Sequence, residues 1–359
     1  NALNSNVSVP NQSAFKNIII NGDMSLAQRG TSTSSITADG FYSCDRWKLG
    51  IGSFGTWTQS QDSDVPSGYG FSKSLKMDCT TAQGSPGVSN AITYDYSVEG
   101  QNLQYLKWGT SSAEQVTLSF WHKHTKTGTN IVELLDSDNG DAVSGSYTQS
   151  VSNTWEKATI VYPAKTSGAL DNDNARSLRI RITIGAGSNY TSGTLATTWQ
   201  SSITNANRLA GQVNNADSTS NNFIIAGVQF EAGTSASDFE FLPVDVNLGR
   251  CQRYFYMHGQ GAGDELGIGC YYNSSQIALD FAFPVTMRAT PSVYQTTGTN
   301  YFATYRPGVV DGFNSLTAGS ATTTMFGLYN NTEVSGTAQD AQFFRTANGS
   351  AKLGADAEL

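Results

Sequence analysis

The sequence alternates between apolar and polar residues in short runs that are separated by turn-forming residues. In the run from residue 223 to 230, Ile224, Val228 and Phe230 would share one side of an extended chain, because successive side chains of a strand point to opposite faces. About ten such runs in some 230 residues predict a β-sandwich. The predicted strands cover residues 17–20, 45–49, 55–61, 74–79, 91–98, 116–123, 130–136, 155–162, 177–184 and 222–230.

The composition also indicates an all-β protein whose strands are joined by many turns. Only 14% of the residues are charged, 38% are hydrophobic, and glycine alone occurs 36 times. Thr, Val, Tyr and Phe fill pleated strand faces, whereas Gly, Ser and Asn favour turns. This composition is typical of extracellular or virion proteins, and patterns for long helices are nearly absent.

The chain is long enough for two domains, and its composition changes near residue 250. All six Trp and nine of the ten Lys precede that point. We predict an N-terminal arm at 1–16, a first domain at 17–243, a connector at 244–257 that is a short helix or a strand, and a second domain at 258–359. Residues 270–283 read as one alternating strand that Pro284 ends, and strand-like residues continue almost to Leu359.

Charge and hydropathy exclude two classes of partner. The formal net charge of -8, without any cluster of Lys and Arg, argues against nucleic acid. The sequence contains no run of 18 apolar residues, which a membrane-spanning helix would need. The amino terminus lacks a secretory signal and opens on Asn1, so either residues are removed or the chain is the carboxyl-terminal part of a longer polypeptide.

No catalytic motif stands out. The sequence contains no GxSxG elbow, no Cys/His constellation and no phosphate-cradling glycine loop, so we do not expect an enzyme. A pair of carboxylates for glycoside hydrolysis remains the alternative, because 29 acidic residues must include some neighbours.

Several charged or polar groups are better explained by structure. His122 and His124 share one side of a strand without a third ligand, which predicts an exposed pair and no metal site. A calcium loop that began at Asp136 would need a carboxylate at its twelfth position, which is Tyr147. Residues 136–141 are therefore expected to form a hairpin. Arg176, Arg179 and Arg181 are expected on a solvated strand face.

The four cysteines, Cys44, Cys79, Cys251 and Cys270, show no metal-binding spacing. We expect buried thiols, with a bridge between Cys44 and Cys79 as the alternative. Trp47, Trp121 and Trp155 are expected to be buried. Residues 185–221 form the longest stretch without a strand pattern, and binding residues could lie there.

Five segments in order resemble a recurrent bacteriophage virion module. They are NIIINGDMSLAQRG at 17–30, CDRWKLG at 44–50, VTLSFWHKH at 116–124, Trp155, and the closing segment at 223–257, which begins FIIAGVQFEAG. The segment FAFPVTMRATPSV at 281–293 has a second, weaker resemblance, to a strand and turn in small terminal β-domains of phage fibres. Modules of the first type are similar in fold to jelly-roll carbohydrate-binding modules. The resemblance therefore implies an all-β fold with a jelly-roll β-sandwich followed by a smaller β-sandwich tip domain.

The resemblance also implies a function. We expect a non-enzymatic virion protein at the tail or capsid surface, a tail-fibre or receptor-binding subunit that contacts host surface glycans. The alternatives are a capsid decoration or head-fibre protein and, with less support, a glycan depolymerase. The expected partners are two further copies of the chain in a homotrimer, other virion proteins held through the N-terminal arm, and a host glycan.

Two sets of site residues follow from this expectation. Modules of this type often carry a structural calcium ion, for which Asp23, Glu231 and Asp238 are the candidate ligands; no other cofactor is expected. Exposed aromatic rings stack on the apolar faces of sugars. The glycan-binding candidates are Trp57, Trp108, Trp199, Tyr271, Tyr272, Tyr301 and Tyr305. The tip tyrosines are favoured, since the tip would lie furthest from a virion-anchored arm.

Overall fold

The computed structural model describes residues 15–359, so the arm predicted for 1–16 lies almost entirely outside the described residues. The described residues form two compact units that meet in sequence between Leu242 and Pro243. The all-β fold predicted from the sequence is confirmed, because both units are built from antiparallel sheets.

The first unit is a β-sandwich of two antiparallel sheets. Its strands are β1 Ser32–Ile36, β2 Gly40–Phe41, β3 Lys48–Ile51, β4 Thr56–Asp62, β5 Ser74–Thr81, β6 Ala91–Glu99, β7 Val116–His124, β8 Gly128–Asp136, β9 Asp141–Gln149, β10 Glu156–Tyr162, β11 Arg176–Ala186, β12 Gln200–Ser201 and β13 Asn222–Ala232. The six-stranded sheet has the order β1-β4-β5-β13-β7-β10, and the seven-stranded sheet has the order β12-β9-β8-β11-β6-β3-β2. Neighbouring strands are therefore often distant in sequence, as in a jelly roll.

The core of this unit lies between the two sheets. The six-stranded sheet contributes Trp57, Phe120 and Phe223, and the seven-stranded sheet contributes Tyr94 and Ile180, all with no exposed surface. Burial of large side chains on one face of each sheet is the main stabilising contribution expected for a sandwich, at about 25 cal/mol per Å² of apolar area.

A bulge in β13 overturns one predicted face. The register of β13 against β7 shifts between Ala226 and Gln229, where Gly227 has a φ of +59°. A Cβ at Gly227 would stand 2.3 Å from a ring carbon of Phe71, so only glycine fits there without a shift. As a result Ile224 lies on the opposite face from Val228 and Phe230, which are in the core between the sheets.

Other sequence predictions for this unit need correction. Residues 17–20 form no strand, although Ile18 N–H donates to the carbonyl of Phe230 over 2.9 Å. Residues 185–221 are not structureless: they include the short helix α1 Ser188–Thr191 and strand β12, and Leu209 and Ala216 are buried. The hairpin predicted at 136–141 is confirmed, since β8 pairs with β9 across it.

The second unit begins with helix α2 Val244–Gln252 and contains two further sheets. Its strands are β14 Phe255–Gln260, β15 Glu265–Asn273, β16 Gln276–Ala282, β17 Ser292–Thr296, β18 Phe302–Arg306, β19 Val309–Phe313, β20 Thr317–Ala321, β21 Met325–Asn330, β22 Ala341–Thr346 and β23 Lys352–Asp356. A three-stranded sheet has the order β14-β23-β17, and a seven-stranded sheet has the order β19-β18-β22-β15-β16-β21-β20. Its core includes Leu279, Phe326, Phe344 and Leu353.

Three features of this unit bear on the sequence predictions. Residues 270–283 are not one strand but most of a hairpin, since β15 and β16 pair across a turn at 274–275. The chain terminus packs inside the unit, as predicted, because β23 is the central strand of the smaller sheet. The predicted connector divides into the helix α2 and the start of β14, which pairs with β23 and so belongs to the second unit.

The cysteines form no disulfide, and all four lie in the described part of the chain. Cys44, Cys79 and Cys251 are buried, as predicted, and the alternative bridge between Cys44 and Cys79 is not formed. Cys270 is exposed, contrary to the prediction, because it lies on β15 next to the inward-facing Tyr271, and alternate residues of a strand face opposite ways.

The pair His122 and His124 is buried, contrary to the prediction of an exposed pair. Both are on the inner face of β7, and the imidazole of His124 stacks on Phe223 with ring centroids 3.7 Å apart. His122 Nδ1 lies 2.8 Å from Gln149 Oε1, and His124 Nε2 lies 2.9 Å from the Tyr147 hydroxyl. Burial lowers the pKa of His122 and lowers that of His124 well below the usual range.

We therefore expect acid to destabilise the first unit. In the unfolded chain these imidazoles bind protons below a pH of about 6.5, whereas in the folded chain they remain neutral to lower pH. The contribution of these imidazoles to the free energy of unfolding should therefore be constant above that pH and should fall as the pH drops below it. Urea denaturation at pH 8 and pH 5 measures the loss, and His124→Gln, which keeps a polar partner for Tyr147, should reduce it. An equal loss in both proteins would contradict the assignment to His124.

Candidate functional site

A cleft of about 400 Å³ lies on the outer face of the seven-stranded sheet of the first unit. Its floor is formed by β3, β6 and β11, and its walls are formed by residues of the connecting segments. The lining residues are Asp39, Lys48, Gly50, Ile51, Gly52, Ser89, Ala91, Thr93, Asp95, Arg179, Arg181, Tyr190, Arg208 and Leu209. Its volume is within the range of small-ligand sites, although its lining is more polar and charged than is usual for them.

Strand register places a row of alternating charges across the floor. Lys48 of β3 is paired with Asp95 of β6, Asp95 with Arg181 of β11, and Arg181 with Glu133 of β8. Directly paired residues of antiparallel strands have neighbouring side chains on the same face. Because the inner face of these strands packs into the core, the charged side chains occupy the outer face.

Ion pairs hold the guanidinium groups of this row in place. Arg181 Nε donates to Asp95 Oδ1 over 3.1 Å, and its Nη1 lies 3.3 Å from Glu133 Oε2. Arg208 makes a bidentate contact with Glu133, 2.6 Å from Nε to Oε1 and 2.8 Å from Nη2 to Oε2. Glu133 has no exposed surface, so its carboxylate lies beneath the arginines that neutralise it.

The expectation that Arg176, Arg179 and Arg181 form a solvated strand face is wrong, because all three are half-buried. Arg179 and Arg181 are partly buried, with side-chain exposures of 24% and 17%, because the segment that follows β11 covers the sheet. Arg176 is not part of the cleft lining, and its Nε donates to the Ser137 hydroxyl over 3.1 Å.

The electrostatics of the floor are set by these contacts. Burial alone would raise the pKa of Asp95, but the charge and hydrogen bonds of Arg181 outweigh it and hold the pKa of this carboxyl below its usual range. Burial, together with the adjacent Arg181 charge, lowers the pKa of Arg179 to about 10. Both groups are therefore ionised at neutral pH.

The walls supply one aromatic ring and leave space above the floor. Tyr190 lies in α1, and the Arg208 guanidinium carbon lies 6.0 Å from the centroid of its ring. Gly50 and Gly52 carry no side chain, and a Cβ at Gly50 would stand 3.1 Å from Thr93 Oγ1. Asp39, beside these glycines, accepts a hydrogen bond from the Ile51 N–H over 2.7 Å.

The structure does not bring the tryptophans predicted for glycan binding to this cleft. Trp57 has no exposed surface, so the expectation is wrong for this residue: it packs between the sheets and its indole N–H donates to the carbonyl of Phe54. Trp108 is also buried and meets the half-buried Trp199 edge to face, with centroids 5.3 Å apart. Both indole N–H groups donate to backbone carbonyls, so these rings serve mainly in packing.

Trp47, Trp121 and Trp155 were expected in the core, and only Trp47 is fully buried. Trp121 and Trp155 are half-buried. Trp121 lies on the outer side of the six-stranded sheet, where the exposed ring of Tyr69 contacts it at 4.2 Å between centroids. The indole N–H of Trp155 donates to Asp64 Oδ1 over 2.9 Å.

The four predicted tyrosines of the second unit lie in different surroundings. Tyr271 is buried, contrary to the expectation, because it points into the core, where its hydroxyl donates to Asp311 Oδ2 over 2.7 Å. Its neighbour Tyr272 points outward and is 71% exposed. Tyr301 is half-buried against the core, and Tyr305 is half-buried with the Arg345 guanidinium carbon 5.1 Å from its ring centroid.

The calcium ligands predicted from the resemblance are not assembled. Within residues 15–359, no group of three His, Cys, Asp or Glu side chains could hold a metal ion, so Asp23, Glu231 and Asp238 do not form such a group. The Glu231 carboxylate instead accepts hydrogen bonds from the backbone N–H and hydroxyl of Ser237.

Of the described helices, none is long and apolar enough to cross a membrane.

The predicted site residues did not include Tyr190, Asp95 and Arg208 of the cleft or Glu133 beneath its floor. One signal pointed toward them: Tyr190 and Arg208 both lie in residues 185–221, the stretch singled out as a place for binding residues. Asp95 and Glu133 had no such signal, because their meeting with Arg181 depends on strand register.

Comparisons with known proteins give distant likenesses of fold. No protein-family model matches the chain, and no curated protein matches it by sequence. Solved structures that match in part include the enzymatically active domain of tailspike protein 4 of bacteriophage CBA120, with 18% identity, a TM-score of 0.32 and 62% of this chain aligned. The alignment spans 22% of that tailspike chain.

Two carbohydrate-binding domains also match in part. The family 11 carbohydrate-binding module of a Clostridium thermocellum cellulosomal cellulase has 14% identity and a TM-score of 0.30, over 57% of this chain and 98% of that one. A family 22 xylan-binding domain has 13% identity and a TM-score of 0.29, over 57% of this chain and 99% of that one. Likenesses this distant identify neither the ligand nor the activity of this chain.

Proposed function

We propose that this chain is a non-enzymatic phage virion protein, a tail-fibre or receptor-binding subunit, and that it binds a host surface glycan in the cleft of the first unit. The observation that carries the proposal is the cleft itself, where a row of ion-paired, hydrogen-bonding side chains lies on rigid strands beside one aromatic ring. The virion setting is supported by the resemblance of residues 17–257 to phage virion modules.

The cleft provides the two kinds of contact that sugars use. Arg and Asp side chains fixed by ion pairs can donate to and accept from adjacent hydroxyl groups without first losing rotamer freedom. The Tyr190 ring can pack against the apolar C–H face of a pyranose, which by analogy with other aromatic-face contacts contributes about 1 kcal/mol. One such site binds weakly, so several copies acting together would be needed for attachment.

The electrostatics of the cleft support binding without hydrolysis. A glycosidase needs one carboxyl group whose raised pKa keeps it protonated as a general acid. The pKa of Asp95 is instead held below its usual range. Asp95 is ion-paired with Arg179 and Arg181, so it does not provide the proton donor that hydrolysis needs.

We further propose that the chain assembles as a homotrimer through the outer face of the larger sheet of the second unit. Four paired positions, Val310, Tyr305, Phe343 and Ile268, cross four neighbouring strands on this face. Ile268 is 66% exposed and Phe343 is 51% exposed. A contiguous apolar row of this kind on a sheet surface marks a contact with another protein surface, and here the proposed partner is the same chain.

The proposed location is the surface of the virion. Labelled antibody against the chain, imaged on intact particles, should mark the tail, as expected for a receptor-binding subunit. Label on the head would favour the alternative of a capsid decoration or head-fibre protein, and particles without label would contradict a virion role.

Replacing Tyr190 by alanine should weaken glycan binding in the cleft about fivefold, because the variant loses one aromatic contact of about 1 kcal/mol. Affinity electrophoresis in gels that contain host surface polysaccharide measures the effect through the retardation of the chain. Tyr190→Phe, which keeps the ring, should bind like the unchanged protein.

Two outcomes would contradict the proposed function. One is the absence of any retardation of the unchanged protein by the host polysaccharide. The other is retardation that Tyr190→Ala leaves unchanged but Tyr272→Ala removes, which would transfer the site to the second unit. A fall in polymer size during incubation would instead favour the depolymerase alternative.

A further inference from the structure

Arg179 differs from the other arginines of the cleft in having few partners. Its Nη1 lies 3.4 Å from Asp95 Oδ2, and Arg181 Nη2 approaches the same oxygen at 3.5 Å. Arg179 Nε is buried and hydrogen-bonds to no atom within residues 15–359. A guanidinium has five N–H donors, and a buried donor without a partner is costly. Protein atoms therefore pair few of the donors of this side chain.

The cleft also carries more positive than negative charge. Lys48, Arg179, Arg181 and Arg208 line it, against the carboxylates of Asp39 and Asp95. Glu133 lies beneath the floor and is already engaged by Arg181 and Arg208. The cleft thus retains a positive excess in a chain whose formal net charge is -8.

We infer that Arg179 binds an acidic group of the ligand, so that the substrate class of the cleft is an anionic glycan. The inference rests on the proposed function, since it specifies the ligand of the same cleft. A carboxylate or a sulfate ester presents two or more oxygens to the fork of N–H donors and supplies the missing negative charge. The lowered pKa of Arg179 agrees with a cation that is crowded by Arg181 and lacks a full counter-charge.

The test uses two pairs of polymers, each an acidic polymer and a neutral counterpart with the same sugar backbone. Affinity electrophoresis of the full chain is run at about 0.15 M salt, where long-range attraction between exposed charges is largely screened. One pair is polygalacturonate and its fully methyl-esterified form, and the other is dextran sulfate and dextran. The first pair tests a carboxylate, and the second tests a sulfate ester.

Three proteins are compared. The unchanged chain should bind at least one acidic polymer more tightly than its neutral counterpart. Arg179→Gln should weaken that binding about tenfold to a hundredfold, as expected for loss of a charged hydrogen-bonded contact. Arg176→Gln removes the same charge from the same strand outside the cleft and should bind normally. The unfolding temperature of Arg179→Gln should not fall, because the guanidinium that is lost has few hydrogen-bond partners in the folded chain.

The inference is overturned if neither acidic polymer retards the chain, if acidic and neutral forms retard it equally, or if Arg179→Gln binds like the unchanged protein. Its failure can be told apart from failure of the proposed function. Binding of a neutral polymer that Tyr190→Ala weakens and Arg179→Gln does not would remove only the anionic substrate class. Absence of any binding to host polysaccharide would remove the glycan-binding function itself.

Discussion

Replacement of Lys165 by methionine should lower the free energy of unfolding of the first unit by about 3–5 kcal/mol, the usual cost of leaving a buried charge without its partner. The Lys165 side chain is 1% exposed, and its Nζ lies 2.9 Å from both Asp136 Oδ2 and Asp141 Oδ2. The Asp136 side chain has no exposed surface and orders the hairpin turn by accepting the N–H groups of Asp138 and Asn139. Methionine fills similar space without the charge.

Urea denaturation gives the change directly. The matched control is Lys107→Met, whose ion pair with Glu114 is 44% exposed on both sides, and for which the expected loss is about 1 kcal/mol or less. A loss for Lys165→Met no larger than that of the control would show that the buried pair does not hold the hairpin.

Replacement of Phe343 by lysine should convert the proposed homotrimer into single chains. Phe343 lies in the middle of the exposed row, between Tyr305 and Ile268. A lysine there would place a charge in the centre of each subunit contact, where it would have to be desolvated without a partner. Light scattering at micromolar concentration should report three times the mass of one chain for the unchanged protein and one chain mass for the variant.

The control for this variant is Val151→Lys, at an apolar position of the first unit that is also more than half exposed. It should leave the mass unchanged. A clean monomer for the unchanged protein would remove the proposed trimer, and a trimer that survives Phe343→Lys would place the contact elsewhere on the chain.

Strands could be predicted from the sequence where alternation is local and uninterrupted. Strands such as β6, β7 and β10 were predicted to within two residues, because each run shows its own period and its own flanking turns. The bulge at Gly227, which moves the following residues to the other face of β13, could not be predicted. It interrupts the alternation of inward and outward side chains, and a single glycine is its only mark in the sequence. The order of the strands in the sheets likewise depends on contacts between distant segments.

The candidate site was harder to predict, because exposure and register are properties of the folded chain. Tyr271 and Tyr272 are adjacent and chemically alike, yet one is buried and the other exposed. His122 and His124 were expected to form an exposed pair, but Gln149 and Tyr147 give them partners within the core. The charge row of the cleft joins residues from four strands that only the seven-stranded sheet brings together.

Glycan binding in the cleft can be tested by a crystal structure of the chain with an oligosaccharide prepared from the host surface polysaccharide. We predict sugar in the cleft on the outer face of the seven-stranded sheet of the first unit, with a pyranose ring against Tyr190 and hydrogen bonds from Arg179. An oligosaccharide bound instead over Tyr272 of the second unit, with the cleft empty at saturating ligand, would contradict it.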